Sequence, residues 1–110
     1  MICQTPQPPY YAVIFSIVRA NVDNEAYGLM GEKMVGLMMQ ENGFLGLEYS
    51  MESPEGFSLT VCFWRDEAAI LRWKDNAEHL VAQKLGKDKW YKHYSIRIAK
   101  VERAYAHALA

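Results

Sequence analysis

The run Tyr10–Val18, YYAVIFSIV, constrains this chain more than any other stretch. Its alternate residues are Tyr11, Val13, Phe15 and Ile17 on one face, and Tyr10, Ala12, Ile14, Ser16 and Val18 on the other. A strand that is apolar on both sides is covered on both sides, so this one belongs in the middle of a layered structure. The chain has the material for such cover. Of its 110 residues 51% are hydrophobic, with six Met, seven Tyr, three Trp and four Phe. A domain of this length buries roughly two thirds of its unfolded surface. Some of these side chains are therefore expected in a subunit interface or a ligand pocket.

The rest of the pattern supplies the layers. Asp23 or Asn24 is positioned to cap a helix reaching about Glu41, with Tyr27, Met30, Met34, Leu37 and Met38 as its buried stripe and Asn42-Gly43 ending it. A hairpin follows. Leu45, Leu47, Tyr49 and Met51 alternate on the way out, and Ser53-Pro54-Glu55-Gly56 has the residues a type I turn favours. On the return strand Phe57, Leu59, Val61 and Phe63 are expected to face a core. Ser58, Thr60, Cys62 and Trp64 suit a cavity wall or an interface. Asp66 caps a second helix with Ala69, Ile70 and Trp73 inward, re-capped at Asn76 and reaching Gly86. A short helical turn from Lys87 to Lys92 precedes a last strand at about Ser95–Tyr105, with Ile96 and Ile98 facing one way and Ala99 and Val101 the other. That switch suggests two-sided cover or a bulge.

The order is β-α-β-β-α-β, the ferredoxin-like member of the α+β class, with both helices on one face of a four-stranded antiparallel sheet. No element remains for the other face, and a second copy of the chain is the simplest cover. The expected organisation is a flexible segment over 1–9, one domain over 10–105 and a tail over 106–110.

Charge and cysteine usage narrow the function. A net charge of -1 gives no general attraction to nucleic acid or to an anionic membrane. No apolar run approaches a membrane span, and the N-terminal residues lack the basic and apolar regions of a signal peptide. Cys3 and Cys62 do not make a disulfide framework and are read as free thiols in a reducing cytoplasm. Lys84, Lys87, Lys89 and Lys92 interleave with Trp90, Tyr91 and Tyr94, but Asp88 among them points to a solvated face rather than an RNA surface. No close-set cluster suggests a metal site.

Phe63-Trp64, Trp73, Ala77-Glu78-His79, Gln83, Gly86, Trp90-Tyr91, Tyr94, Arg97 and Val101-Glu102-Arg103 form a set that resembles the antibiotic biosynthesis monooxygenase family. The resemblance covers roughly residues 10 to 105. It implies a homodimeric α/β barrel with a pocket in each subunit between sheet and helices. It also implies one of two chemistries: oxidation of phenols or anthrones by O2 without metal or flavin, or opening of the haem ring. The family's anthrone oxidisers place an Asn four residues before the helix-two Trp and a Tyr six after it; here these positions hold Ala69 and His79. The haem degraders place an axial His ten residues beyond the Trp, and here that residue is Gln83; the Asn they carry on strand one is also absent.

The candidate residues follow, each with a plainer alternative. Trp73 packs on a substrate ring, or anchors the second helix. His79 is the candidate for the base that deprotonates a phenol, a step to which an imidazole is suited, or is a surface histidine near a helix start. Trp64, Met30, Met34 and Tyr27 line an apolar substrate wall, or are core. Asn76 contacts substrate, or only caps a helix. His93 and Tyr94 are given structural roles. The expected function is a cofactor-independent monooxygenase acting on a small or polycyclic aromatic. The alternatives are a haem-binding or haem-degrading protein and a non-catalytic dimer that binds a small hydrophobic molecule.

Overall fold

The computed structural model describes residues 2–83 and 90–108, with the side chains of 78–83 outside the description. The elements are β1 (Tyr10–Arg19), α1 (Asn24–Met38), β2 (Phe44–Tyr49), β3 (Phe57–Trp64), α2 (Glu67–Gln83) and β4 (Tyr91–Val101). The strands form one antiparallel sheet in the order β2-β3-β1-β4. This is the ferredoxin-like arrangement predicted from the alternation pattern, with β1 central. Val13 of β1 lies opposite Cys62 of β3 on one side and Ile98 of β4 on the other.

Register assigns each residue to a face. Tyr11 and Val13, with Cys62, Phe44 and Leu47, pack against the buried cluster of Met38, Trp64, Ala69 and Ile70 on the helical side. The expected facing of β3 is therefore corrected: Trp64 and Cys62 point to the helices, and Phe57, Leu59, Val61 and Phe63 point away. Alternation separates two faces but does not say which one carries the helices. That is decided where β3 ends, because the chain turns at once through Arg65 and Asp66 into α2 and folds it back over Trp64. The outer face keeps an apolar row, with Phe57 exposed, and a hollow of about 230 Å³ whose lining includes Ser16, Ile17, Val18, Phe57, His93 and Arg97.

Helix α1 buries Met30 and Met38 and half-buries Tyr27, Met34 and Leu37, the predicted stripe. It stops at Met38 rather than Glu41. Beyond it the Gln40 and Glu41 amides donate to the carbonyls of Leu37 and Met38 in tighter i→i−3 turns. Asp23 holds the cap position in the left-handed region, at φ 48°, without a side-chain capping hydrogen bond. Helix α2 is capped as expected, with Asp66 Oδ1 accepting from the Ala69 amide at 2.8 Å.

The predicted re-cap at Asn76 is not present: α2 runs unbroken to Gln83. An interior Asn costs only about 0.7 kcal/mol against Ala, too little to break a helix whose backbone bonds continue on both sides. Strand β4 begins at Tyr91, four residues before the expected Ser95, and ends at Val101 rather than Tyr105. Its early start displaces the predicted helical turn at Tyr91 and Lys92; the rest of that turn, 87–89, lies outside the described residues apart from Trp90. The bulge occurs at Val18/Arg19, opposite Tyr91. The segment before β1 runs beside β2, where the Cys3 amide donates to Glu48 Oε2 at 2.9 Å and the Thr5 hydroxyl bonds the Tyr10 hydroxyl.

The join between α1 and β2 depends on Gly43. Its φ is +101°, its carbonyl accepts from the Arg65 amide at 2.7 Å, and a Cβ there would lie 2.8 Å from that of Ala69. Gly43→Ala should therefore lower stability by about 1–3 kcal/mol in urea unfolding. A change below about 0.5 kcal/mol would contradict this account of the join.

Candidate functional site

Two aromatic groups occupy opposite ends of the helix-facing layer. The first is built where β3 hands over to α2. Trp64, 1% exposed, stacks on Trp73 at 6.4 Å with 28° between planes and meets Phe44 edge-on at 5.2 Å. Ala69, also 1% exposed, is sealed between this group and Gly43. The position at which the resemblance expects an Asn is thus a core contact here.

The second group gathers where β1 ends, α1 begins and β4 begins. Tyr27 of α1 meets Trp90 at 5.7 Å and Tyr91 at 5.9 Å, both edge-on. Phe15 of β1 meets Tyr91 and Tyr94. Local backbone pairing puts them there: the Arg19 amide donates to the Gly56 carbonyl at 3.0 Å and the Ala20 amide to the Trp90 carbonyl at 2.9 Å. Gly56 has φ +90°, and a Cβ on it would approach the Arg19 carbonyl to 3.0 Å, so the β2–β3 turn docks on Arg19 only with glycine at that position.

Arg19 is the charged member of this group. Its guanidinium carbon sits 3.7 Å over the centre of the Tyr27 ring, a cation–π contact. Nη2 donates to the Val22 carbonyl at 3.2 Å and to Asn24 Oδ1 at 3.0 Å. The Glu52 carboxylate is 3.7 Å from Nη1. Among the described residues Nε is buried without an acceptor, and so is Nε1 of Trp90. A buried donor left unpaired costs about 1–3 kcal/mol. Beside Arg19 opens a cleft of about 750 Å³, lined by Asn24, Glu52, Ser53, Gly56 and Lys92 among others.

Burial raises two groups in this layer. The Tyr91 hydroxyl is held well above the ordinary phenol range by desolvation first, then by the neighbouring Tyr27 hydroxyl, against an opposing pull from Arg19. It stays protonated at any physiological pH. Burial pushes the Cys62 thiol up to about 11.

The predicted site residues separate between the two groups. Trp64 and Trp73 come together as a stacked pair. Tyr27 lies in the other group, and Met30 and Met34 lie along α1 between them. Asn76, half-buried, is one turn beyond Trp73 on α2. The unbroken helix places residue 79 about 9 Å along the axis from Trp73 and about a third of a turn round; the side chains of His79 and Gln83 lie outside the described ones. His93, opposite Val18, faces outward and is exposed. Arg19 was not singled out from the sequence, although it is the residue at which the apolar β1 run stops. Trp90 and Tyr91 were noted only within the resemblance and the lysine-rich stretch. Among the described residues no three His, Cys, Asp or Glu side chains gather to hold a metal, and no helix is long and apolar enough to cross a membrane.

A family model described as antibiotic biosynthesis monooxygenase matches residues 19–85. The uncharacterized protein YqjZ of Bacillus subtilis is 43% identical over 102 residues, spanning 93% of this chain and 88% of its own. The jasmonate monooxygenase ABM of Pyricularia oryzae is 29% identical over 92 residues, spanning 83% of this chain and 43% of that protein. The fold matches SnoaB of Streptomyces nogalater, a cofactor-independent oxygenase, with a TM-score of 0.70 at 9% identity, covering 91% of this chain and 100% of SnoaB.

The raised Cys62 pKa sets a pH dependence. The folded state keeps the thiol neutral up to about pH 11, whereas the unfolded thiol ionises near 9. Between those values the unfolded state binds fewer protons, so this group's contribution is full below pH 9 and is lost as pH rises towards 11. Urea unfolding of the wild type and of Cys62→Ala should show the gap between them changing by roughly 1 kcal/mol per pH unit across that window and not below it. Parallel curves from pH 7 to 11 would contradict the burial of this thiol.

Proposed function

The chain belongs to the antibiotic biosynthesis monooxygenase family, and from that premise we propose that it is a cofactor-independent monooxygenase oxidising a small or polycyclic phenol or anthrone with O2. The observation that carries this reading is the aromatic and methionine content of the helix-facing layer. Trp64 and Trp73 at one end and Phe15, Tyr27, Trp90, Tyr91 and Tyr94 at the other are joined along α1 by Met30 and Met34. Flat apolar rings are received by such surfaces. The cofactor-independent oxygenase SnoaB shares this fold.

The reaction balances without an outside reductant. An anthrone methylene converted to a carbonyl gives up four electrons and two protons, which reduce O2 to one carbonyl oxygen and one water. The barrier is the first electron transfer to O2, and it falls when the phenol or enol is ionised. In this reading His79 takes that proton, Trp73 packs on the ring system, and Asn76, one helical turn from Trp73, donates a hydrogen bond to a substrate oxygen. A base titrating near the working pH is suited to the step. The outer sheet face belongs to the same proposal: its row of Phe57, Leu59, Val61 and Phe63 is covered by a second copy of the chain, leaving the helix-facing layer of each subunit for substrate.

Oxygen-electrode assays with 1,8-dihydroxy-9-anthrone test the chemistry. The protein should accelerate oxygen uptake above the spontaneous rate. His79→Ala should lower kcat by about 10²–10⁴-fold, and Trp73→Ala should mainly raise KM. A wild-type rate equal to that of a variant carrying both His79→Ala and Trp73→Ala would overturn the proposal.

A further inference from the structure

We propose that the cleft at the end of β1 is a receptor for the carboxylate of a small organic acid, and that Glu52 holds the place of that carboxylate in the unliganded protein. The inference does not depend on the oxygenase reading.

Arg19 is the first reason. Its side chain is only 9% exposed, and a buried cation is stable where a counter-charge meets it with good hydrogen-bond geometry. Glu52 does not do so: its oxygen stands 3.7 Å from Nη1, beyond hydrogen-bonding distance, on a side chain that is 45% exposed. Val22 and Asn24 occupy Nη2 with neutral acceptors, and Nε has none. The fork of a guanidinium matches the two oxygens of a carboxylate, and here half of the fork is unused.

The groups behind Arg19 are buried. Trp90, 1% exposed, has an indole N–H with no acceptor, and its ring meets the same Tyr27 over which Arg19 lies. Tyr91, hydrogen-bonded to Tyr27, stays protonated. Around one tyrosine ring, therefore, stand a poorly paired guanidinium, an orphan indole donor and a phenol that keeps its proton. A neutral ligand would leave the charge as it is. A carboxylate entering from the cleft would displace the exposed Glu52 and meet Nη1. Lys92 at the cleft wall adds long-range attraction, and Glu55 opposes it.

The competing role of Glu52 gives two variants with opposite effects. The probe is 1-naphthoate, with 1-naphthamide as its neutral isostere, titrated by calorimetry and by ¹⁵N-correlated NMR of the arginine Nε–H and indole Nε1–H groups. Naphthoate should bind at least 10-fold more tightly than naphthamide and shift the Arg19 and Trp90 side-chain signals. Arg19→Gln should remove that preference. Glu52→Gln, at an exposed position, should tighten naphthoate binding several-fold while leaving naphthamide unchanged. Equal binding of the two probes, shifts confined to Trp64 and Trp73, or a Glu52→Gln variant that binds naphthoate no better than wild type would each overturn the proposal. The Glu52→Gln arm decides the matter even if Arg19→Gln fails to fold.

Discussion

Strand β1 is hydrogen-bonded to β3 along one edge and to β4 along the other, and its side chains alternate between two apolar faces. Each functional feature of the molecule is referred to it. Tyr11 and Val13 floor the tryptophan cluster, and Phe15 floors the tyrosine cluster. Arg19, the residue on which the strand ends, ties together the β2–β3 turn, the start of α1 and the approach to β4. Because both edges of β1 are paired, the spacing between the two aromatic groups is set by backbone geometry rather than by side-chain contacts that a bound molecule would disturb.

The two groups differ in how well their atoms are satisfied. Around Trp64 the helix cap, the Gly43 carbonyl and the ring stacking leave no buried side-chain polar atom without a partner among the described residues. Around Tyr27, among the described residues, two buried donors have no acceptor and a cation has a distant counter-ion. Buried polar groups are nearly always paired, so the imbalance marks the Tyr27 end of the layer as one with donors left to satisfy. Family membership supports a monooxygenase in general terms; the donors without an acceptor are what the proposed carboxylate receptor adds.

Much of the architecture was legible in the sequence because it rests on period. The alternation of β1, the Met stripe of α1, the Ser53–Gly56 turn and the Asp66 cap are each local and each observed. What failed depended on contacts between distant segments. Nothing in the β3 alternation reveals which face the helices take, since that follows from the direction in which the chain leaves Trp64. The early start of β4 follows from its pairing with the end of β1 across the bulge at Val18/Arg19, and single-residue signals at Tyr91 and Lys92 do not record it. Asn76 carried a cap signal that a continuous helix overrode. The candidate site was legible in part. Trp64 and Trp73 were found from their place in a resemblance, whereas Arg19 was missed because its significance lies in what its guanidinium lacks, and a sequence does not show an absent partner.

The remaining face of β1 tests the whole scheme. Ile14 and Val18, with Leu59, Val61 and Phe63 from β3, stand on the side no helix covers, and Phe57 at the end of that row is exposed. Apolar surface of this kind is stable in water when another surface meets it, and the proposed arrangement of substrate on the helical side requires that the outer side be the one closed by a second copy. Light scattering on the eluting peak of a size-exclusion column, at micromolar concentration, measures this directly. The account predicts twice the 12.7 kDa mass of one chain, falling to the single-chain mass in Val61→Asp. A wild-type mass of one chain at that concentration would contradict it.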